Sequence, residues 1–384
     1  MSIVEVIFWG SIFLTLYVYF VYPVFIAILA SINKDKHLLK QDYEPTVSLI
    51  IAAYNEEKVI AKKIENSLEL DYPKDKLEII VFSDASTDRT DEIVKSYSDR
   101  GIKLFRIEGR KGKTYCKNIV AEKAQGEILL FSDATSIYER NAIKKLVVHF
   151  ADPKVGCVAG EIRYRKDRGV EGENLYWRYE KFIRRLEGKL GNLTTVSGAI
   201  YAITKRYYPF LSICAADDFG HTLSIKAKRL KVIHEPEALA WEETSENIFF
   251  EVNRRIRMVS QASFCLFHNR EFRALLNPLR YGLFSFQLWS HKVLRWLSGI
   301  FLILLFLTNL ILIRKGDFYV FFFACQSIFY IFAIWGLLQE RLFKKKVPKI
   351  PHIAGYFVIS CYAMLKGFIK GLLKKPIIIW TPIR

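Results

Sequence analysis

The feature that most constrains this chain is an apolar run at residues 3–31, which carries a single charged residue, Glu5. The run is longer than the ~20 residues that an α-helix needs to cross a bilayer. It is too long for the apolar part of a signal peptide, and no small-residue cleavage site follows it. Lys34 and Lys36 come soon after it, and basic residues mark the cytoplasmic side of membrane helices. Residues 1–31 are therefore predicted to span a membrane with the N-terminus outside.

The last third of the chain holds the other long apolar runs. Residues 288–313 and 318–338 are each long enough to cross a bilayer. A shorter apolar segment, 351–365, leads into a group of lysines, which a crossing would place outside, against the cytoplasmic preference of basic residues. The sequence leaves open whether this segment crosses, re-enters or lies at the interface. We predict C-terminal membrane segments over 288–375 and a tail over 376–384.

Residues 246–275 mix apolar and basic side chains in a pattern that is typical of a helix lying on a membrane surface. They are too charged to cross a bilayer. We therefore predict amphipathic interfacial helices over 246–287, and a cytoplasmic domain over 32–245. The protein is expected to be a multi-pass protein of the cell membrane.

The formal net charge of +18 permits three kinds of partner: nucleic acid, an anionic membrane surface or a phosphorylated substrate. Basic clusters stand beside the apolar runs, for example at residues 341–346, and this favours the membrane. No zinc-finger spacing or RNP-type motif occurs, so nucleic acid is not predicted as a partner. The six cysteines show no CxxC spacing and are interpreted as reduced, mostly buried thiols.

The soluble part alternates short apolar runs with amphipathic helical patterns, which predicts an α/β domain. The predicted strands are 47–53, 78–83, 102–107, 127–132, 155–163 and 197–203. The predicted helices lie near 56–69, 88–98, 113–125, 139–149 and 173–189. The first strands are almost wholly apolar, as in a parallel sheet that is covered on both faces. Ligands of such sheets bind beyond the carboxyl ends of the strands.

Polar residues follow these strands at that edge. Glu56 follows the first strand, Asp84 the second and Asp133 the fourth, and the adjacent pair Asp217 and Asp218 begins a predicted helix. Singly, each acid has a simpler interpretation as a turn residue or a helix cap. Together on one sheet edge they predict a site for a sugar nucleotide or a metal.

Several familiar catalytic motifs are absent. The stretch "GRKGKT" at 109–114 resembles the end of a P-loop, but that pattern needs a glycine where Ile107 stands, so an NTPase is excluded. Lys111 and Lys113 begin a predicted helix, where they either hold phosphate or belong to a solvated basic loop. The isolated histidines are interpreted as structural.

At this point the chain resembles glycosyltransferase family 2, the inverting nucleotide-sugar transferases with a GT-A fold. It looks most like the membrane-embedded branch that includes cellulose and hyaluronan synthases. The stretches that carry the resemblance are "VSLIIAAYNEEKVI", "EIIVFSDASTD", "GKTYCKNIVAEKAQGEILLFSDAT", "GAIYAI", "ADDF" and "RRIRM". The expected fold is a mixed, mainly parallel GT-A sheet domain with transmembrane helices at both ends.

The resemblance also implies a donor site. Asp84 would bind the nucleoside part of the donor beside Ala53 and Glu56. Asp133 would be the first acid of the family's DxD motif, near the diphosphate and a divalent cation, Mg²⁺ or Mn²⁺. Lys113 would bind the donor as well.

The remaining implied roles concern transfer. Asp218 would be the general base of the TED motif, with Asp217 beside the acceptor. Arg254 and Arg257 would stand in the Q-R-x-R-W motif and face the diphosphate, and Met258 would lie at the acceptor. The expected partners are a nucleotide-sugar donor, which is expected to be UDP-linked, the lipid bilayer and a lipid-linked or glycan acceptor.

Three departures from the family qualify this picture. Thr135 replaces the second DxD acid, Asp217 replaces the Glu of TED, and Arg254 and Met258 replace the Gln and Trp of Q-R-x-R-W. The missing Trp and Gln favour one or a few transfers over the alternative of a processive synthase that extrudes its polymer. Intact acids at 84, 133 and 218 argue against the other alternative, an inactive membrane scaffold.

Overall fold

The computed structural model describes residues 1–33, 39–40, 42–164, 171–243, 248–339 and 348–379. Lys34, Lys36, the basic cluster at 341–346 and the end of the tail at 380–384 lie outside the described residues.

Eight strands form one sheet in the described part of the chain. They are β1 Val47–Ala53, β2 Leu77–Asp84, β3 Ile102–Ile107, β4 Ile128–Asp133, β5 Ile137–Tyr138, β6 Val155–Tyr164, β7 Ile200–Thr204 and β8 Lys231–Glu242. Their order across the sheet is β3-β2-β1-β4-β7-β6-β8-β5. Strands β3, β2, β1 and β4 are parallel, β7 is antiparallel to both its neighbours, and β8 is parallel to β6. The sheet is therefore mixed and mainly parallel, as predicted.

The α-helices are α1 Ile3–Leu16, α2 Tyr22–Ile32, α3 Ile60–Leu68, α4 Thr90–Lys95, α5 Lys113–Lys123, α6 Ala142–Val147, α7 Glu171–Lys189, α8 Asp217–Ala227, α9 Ile248–His268, α10 Arg270–Ala274, α11 Pro278–Gln287, α12 Leu294–Trp296, α13 Ser298–Leu312, α14 Asp317–Leu338 and α15 Lys349–Leu372. Helices α3, α4 and α6 cover one face of the sheet, while α5 and α8 cover the other. Both faces of β1, β2 and β4 are buried, which is why these strands read as continuous apolar runs.

Two strands were missing from the sequence prediction, β5 and β8. Strand β8 contains Glu235-Pro236-Glu237, which breaks the apolar alternation that predicts a strand. In the sheet, the partners of β6 shift register between Ala159 and Glu161, opposite this insertion. A bulge tolerates proline because the ladder is interrupted there. The sequence therefore hides a 12-residue strand that ends at the candidate site.

Four segments are long and apolar enough to cross a membrane: Ile3–Ile32, Ser298–Lys315, Asp317–Leu338 and Lys349–Leu372. The second begins later than the predicted 288, because residues 288–293 form a π-helical segment that packs on α7. At the other end of these helices, Lys315 forms an ion pair of 3.0 Å with Glu5. The third C-terminal segment is a 24-residue helix, longer than its apolar run suggested.

A buried polar junction joins α7 to the membrane helices. Glu187 is fully buried, accepts a hydrogen bond of 2.6 Å from the hydroxyl of Tyr22, and lies 2.7 Å from Nδ1 of His291. Glu180, two turns earlier, accepts a bond of 2.7 Å from Arg295. Burial opposes the ionisation of Glu180, but the surrounding basic side chains outweigh it and hold its pKa well below the usual range. This junction, defined as Glu180 and Glu187 with their partners, fixes the sheet domain on the membrane helices.

Helix α15 packs closely along α9. A Cβ on Gly371 would lie 2.4 Å from the carbonyl oxygen of Ser260, so only glycine permits this approach. One turn away, Arg255 of α9 donates hydrogen bonds of 2.5 Å to Ser360 and 2.9 Å to the hydroxyl of Tyr356. These contacts hold α9 at a fixed position, and α9 carries the arginines of the predicted site.

Candidate active site

The carboxyl ends of three parallel strands meet at one edge of the sheet. In the register of β1, Ala53 pairs with Ser83 of β2 and Ala52 pairs with Asp133 of β4. Asp84 follows Ser83 and closes β2. The structure therefore brings Ala53, Asp84 and Asp133 to one edge, where the sequence placed them.

Asp84 is fully buried and holds the loop that precedes α5. Its carboxylate accepts hydrogen bonds of 2.7 Å from the backbone N–H of Lys111 and of 3.1 Å from that of Gly112. The guanidinium of Arg110 donates a third bond of 3.1 Å and lies 3.2 Å from the ring centroid of Tyr54. Gly112 has a φ of +93°, a conformation that favours glycine. In this structure Asp84 fixes the loop; its predicted contact with a nucleoside stays a prediction.

Glu56 lies in the loop after β1, which is tied to the start of α4. The backbone N–H of Glu56 donates a bond of 2.7 Å to the hydroxyl of Thr90. Asp88 accepts bonds from the backbone N–H of Thr90 at 3.0 Å and of Glu57 at 3.2 Å, so it bridges the two loops.

Two lysines of α5, one turn apart, pair with acids from different parts of the fold. Lys113 forms an ion pair with Asp133 at the end of β4. Lys117 is fully buried and forms an ion pair with Asp217 at the start of α8. Burial opposes the charge of Lys113, but Asp133, Asp217 and the neighbouring Asp218 outweigh it and raise its pKa above the usual range. Lys113 is thus a permanent cation beside Asp133, rather than part of a solvated loop.

The adjacent acids of α8 differ in their electrostatics. Burial raises the pKa of Asp217, but Lys117 and Lys113 reverse this and bring it well below the usual range. Burial and the charge of Asp217 raise the pKa of Asp218. The carboxylate of Asp218 accepts a bond of 2.7 Å from the backbone N–H of Phe219. One acid of the pair is therefore held ionised, and the other is the better proton acceptor.

A neutral buried layer lies beneath Lys117. The hydroxyl of Tyr201 is 3.1 Å from its ammonium and 2.9 Å from Nδ1 of His221. Burial lowers the pKa of His221 to about 3, so the imidazole is neutral at physiological pH. His221 thus packs below the acids, as the interpretation of the histidines as structural suggests.

Helix α9 brings Arg254 and Arg257 within electrostatic range of the acids. Burial and the charge of Arg254 lower the pKa of Arg257, while Asp217, Asp218 and Asp133 oppose this change. Arg254 forms an ion pair of 3.5 Å with Glu251, and Met258 is 38% exposed. The three acids and the two arginines therefore share one electrostatic environment.

Sequence reasoning missed three features of the site. Lys117 gave no signal because its partner lies 100 residues away. Glu242 ends the unpredicted strand β8 and accepts a hydrogen bond from Ser136; burial and Asp133 raise its pKa. The segment after α15 returns to the site, where Gln261 donates a bond of 2.8 Å to the carbonyl of Ile377, and Ile378 lies against Gly112.

The residues near Asp133 suit a hard cation only in part. Among the described residues, no group of three or more His, Cys, Asp or Glu side chains could hold a metal ion. The side chain of Asp133 is 34% exposed, and Thr135, two residues on, is exposed. Mg²⁺ is commonly held by one or two carboxylates together with substrate phosphates and water. An oxygen donor set of this size fits a cation that arrives with a diphosphate.

The chain is similar in sequence to several known proteins. Residues 48–209 match the family model described as Glycosyl transferase family 2. The chain is 23% identical over 365 residues to the poly-β-1,6-N-acetyl-D-glucosamine synthase of Staphylococcus epidermidis, which covers 88% of this chain and 87% of the relative. It is 24% identical over 284 residues to the synthase of that name from Staphylococcus aureus, which is 70% of this chain and 68% of that relative. A probable glycosyltransferase of Bacillus subtilis, YdaM, is 29% identical over 218 residues, which is 53% of this chain.

A solved structure shares the fold. Mannosyltransferase PcManGT from Pyrobaculum calidifontis, in complex with GDP-Man and Mn²⁺, matches with a TM-score of 0.73 and 20% identity, over 97% of this chain and 100% of that chain. The prediction of a GT-A sheet domain with apolar helices at both ends is confirmed by this match and by the family model.

The buried pair of Lys117 and Asp217 predicts a large loss of stability when only the lysine is removed. Lys117→Met leaves Asp217 charged and without its cation, and breaking a buried pair costs about 3–5 kcal/mol. The measurement is the thermal unfolding midpoint in detergent. Lys123→Met, on the exposed side of the same helix, is the matched control and should change it little. Adding Asp217→Leu to Lys117→Met should restore much of the loss; equal midpoints for Lys117→Met and Lys123→Met would contradict the pairing.

Proposed function

We propose that this chain, whose residues 48–209 match the family model described as Glycosyl transferase family 2, is a membrane-bound inverting glycosyltransferase of polysaccharide biosynthesis. It moves a sugar from a nucleotide-sugar donor to a lipid-linked or glycan acceptor at the membrane. The observation that carries this proposal is the edge where Lys113 pairs with Asp133, within electrostatic range of Arg257, while Asp218 is a second carboxylate whose pKa is raised. Leaving-group and base chemistry are thus separated within one site.

The leaving-group side is cationic. Transfer expels a nucleoside diphosphate, and the charge that grows on it needs cations in place before the reaction. Lys113 keeps its proton because of the acids around it, and Arg257 lies within range of the same acids. Mg²⁺ or Mn²⁺ held by Asp133 would act as a Lewis acid on the diphosphate. Asp84 and the loop at 110–112 would shape the nucleoside end, beside Ala53 and Glu56.

The base side is Asp218. Its carboxylate would take the proton of the acceptor hydroxyl while that oxygen attacks the anomeric carbon in line with the departing diphosphate. The new glycosidic bond forms as the bond to the diphosphate oxygen breaks, which inverts the anomeric configuration. Asp217 is held by Lys117 and is a poor proton acceptor, so it would orient the acceptor instead.

The donor sugar is proposed from the relatives. The synthases that share most of this chain's length are named for N-acetylglucosamine polymers. A UDP-linked N-acetylhexosamine is therefore the first donor to test. The shared fold with an enzyme solved with GDP-Man makes GDP-sugars the natural comparison.

The sheet domain is proposed to face the cytoplasm. Helices α1, α13 and α14 pack side by side, and the ends marked by Glu5 and Lys315 lie away from the domain. The first turns of α15 pack on the inner end of α14, where a Cβ on Gly336 would meet the carbonyl of Pro351, and its last turns pack on α9. Both ends of α15 thus stay on the side of the sheet domain. We therefore assign α15 to the inner membrane surface, although its length would suffice to cross.

A second candidate is a processive synthase. The names of the relatives favour polymer synthesis, and their alignment spans most of this chain. Against it stands Met258, which is flexible and offers no flat face to a sugar where the family has Trp. On that departure we propose one or a few transfers per encounter. A catalytically inactive scaffold is disfavoured because the acids at 84, 133 and 218 are intact, and because the pKa values of Asp217 and Asp218 are shifted in opposite directions.

The proposed reaction predicts release of nucleotide from one class of donor. Purified protein would be incubated with UDP-, GDP- and dTDP-sugars, with divalent cation or excess chelator, and nucleotide release measured. Asp218→Asn should abolish transfer while donor binding survives, and Asp71→Asn, on the surface, should act as wild type.

Because the pKa of Asp218 is raised, the rate should fall with decreasing pH already above the range of an ordinary Asp, as the base becomes protonated. Transfer by Asp218→Asn at a rate within a few-fold of wild type would contradict the assignment of Asp218 as the base. Full activity in excess chelator would show that transfer needs no divalent cation.

The topology predicts which positions an impermeant thiol reagent reaches from outside intact cells. Lys315→Cys should be labelled, because it lies at the outer end of the helices. Lys36→Cys and Lys374→Cys should be protected until the cells are opened. Labelling of Lys374→Cys from outside would show that α15 crosses the membrane.

Product size separates the two candidates. With excess donor and limiting acceptor, a few-transfer enzyme leaves mostly singly extended acceptor on the membrane. The measurement is the size distribution of the labelled product over time. High-molecular-weight polymer formed while most acceptor stays unused would favour the processive synthase.

A further inference from the structure

Helix α7 places an aromatic ring at the edge of the candidate site. Trp177 is half-buried, and its ring centroid lies 6.2 Å from that of Tyr164, the last residue of β6. Tyr164 pairs in register with Glu242, which in turn accepts a hydrogen bond from Ser136. Because Ser136 follows Asp133 by three residues, Trp177 lies at the same sheet edge as the predicted leaving-group side.

Trp177 also reaches the helix that carries the acceptor position. The guanidinium carbon of Arg254 lies 5.6 Å from the centroid of the Trp177 ring. Met258 is four residues further along α9, so Arg254 and Met258 share one face of that helix. The ring of Trp177 therefore contacts the residue that lies one helical turn before the place where the family carries its Trp.

A polar stripe continues from Trp177 along α7. Lys181 and Arg184 follow at the spacing of four and seven residues that keeps side chains on one helix face. With Trp177 and Tyr164 they line a cavity of about 10 Å³, which also contacts His234. This is about the space that one water molecule or one hydroxyl group occupies.

Polar atoms at this cavity lack partners. His234 is 8% exposed, and its Nδ1 has no hydrogen-bond partner among the described residues, while its Nε2 lies 3.3 Å from Glu161. Nε and Nη2 of Arg184 are also buried without a partner there. Buried polar atoms are costly unless a ligand or water satisfies them. The cavity thus offers hydrogen-bonding groups beside an aromatic face, the combination that binds a sugar.

We propose that Trp177, Tyr164, Lys181, Arg184 and His234 form a subsite for a sugar of the acceptor glycan. The apolar C–H face of a pyranose ring rests on Trp177, and one hydroxyl enters the cavity to bond with His234 and Arg184. This subsite lies on α7 and is distinct from the position of Met258 on α9. The inference rests on the proposed function, since it names the ligand of the same site as a neutral glycan.

The test measures glycan binding apart from catalysis. Binding of a β-1,6-linked N-acetylglucosamine tetramer to the full chain in detergent would be followed by saturation-transfer NMR, without donor. Trp177→Ala should weaken binding about tenfold, and Trp177→Phe, which keeps a ring, should lose less. Leu175→Ala is the matched control, an exposed apolar residue on the same helix, and should bind as wild type. With donor present, Trp177→Ala should raise the KM for the tetramer and leave the KM for the donor unchanged.

Two results would overturn the subsite: no saturable binding by the wild type, or equal binding by Trp177→Ala and Leu175→Ala. If Trp177→Ala fails to fold, Trp177→Phe keeps the test decisive. A Trp177→Phe variant that binds no better than an unfolded sample would also count against stacking on this ring. Failure of the proposed function has a separate readout. It would appear as absence of nucleotide release from every donor, whatever the result for tetramer binding.

Discussion

The candidate site depends on one helix that neutralises acids from two directions. Lys113 and Lys117, one turn apart on α5, pair with Asp133 at the end of β4 and with Asp217 at the start of α8. Without these cations, the carboxylates gathered at the sheet edge would repel one another in a poorly solvated space. The pairs also give the adjacent acids different properties. Lys117 keeps Asp217 ionised, whereas the pKa of Asp218 is raised.

Local patterns predicted the part of the fold that local forces determine. Strands β1 and β3 have the predicted bounds, and β2 and β4 differ by a residue at their ends. The signal is strong in β1, β2 and β4 because these apolar runs are buried on both faces. Asp84 and Asp133 stand out as candidates for the same reason, since each is a polar residue at the end of such a run. Strand β8 was missed because Pro236 and its flanking glutamates interrupt the apolar alternation. Only the pairing with β6 shows that the strand continues past them.

What the sequence could not predict is pairing across long separations. The partner of Lys117 is 100 residues away, and that of Glu187 is 104 residues away. Nothing in either local stretch specifies the other. The return of Ile377 to Gln261 is of the same kind, because an extended tail after a helix carries no signal for its destination. Such contacts depend on elements that apolar packing brings together, and they determine which buried side chains stay charged.

The junction at Glu180 and Glu187 limits how this chain can be rearranged. These glutamates lie on α7 of the sheet domain, but apart from Thr194 their partners come from the first membrane helix and from residues 291, 292 and 295. Cutting the chain at residue 245 would remove His291, Lys292 and Arg295, the basic partners of these two glutamates, and would expose aromatic surface. The sheet domain is therefore not a module that can be excised or exchanged between membrane anchors. Any such exchange must carry Tyr22, His291 and Arg295 with it.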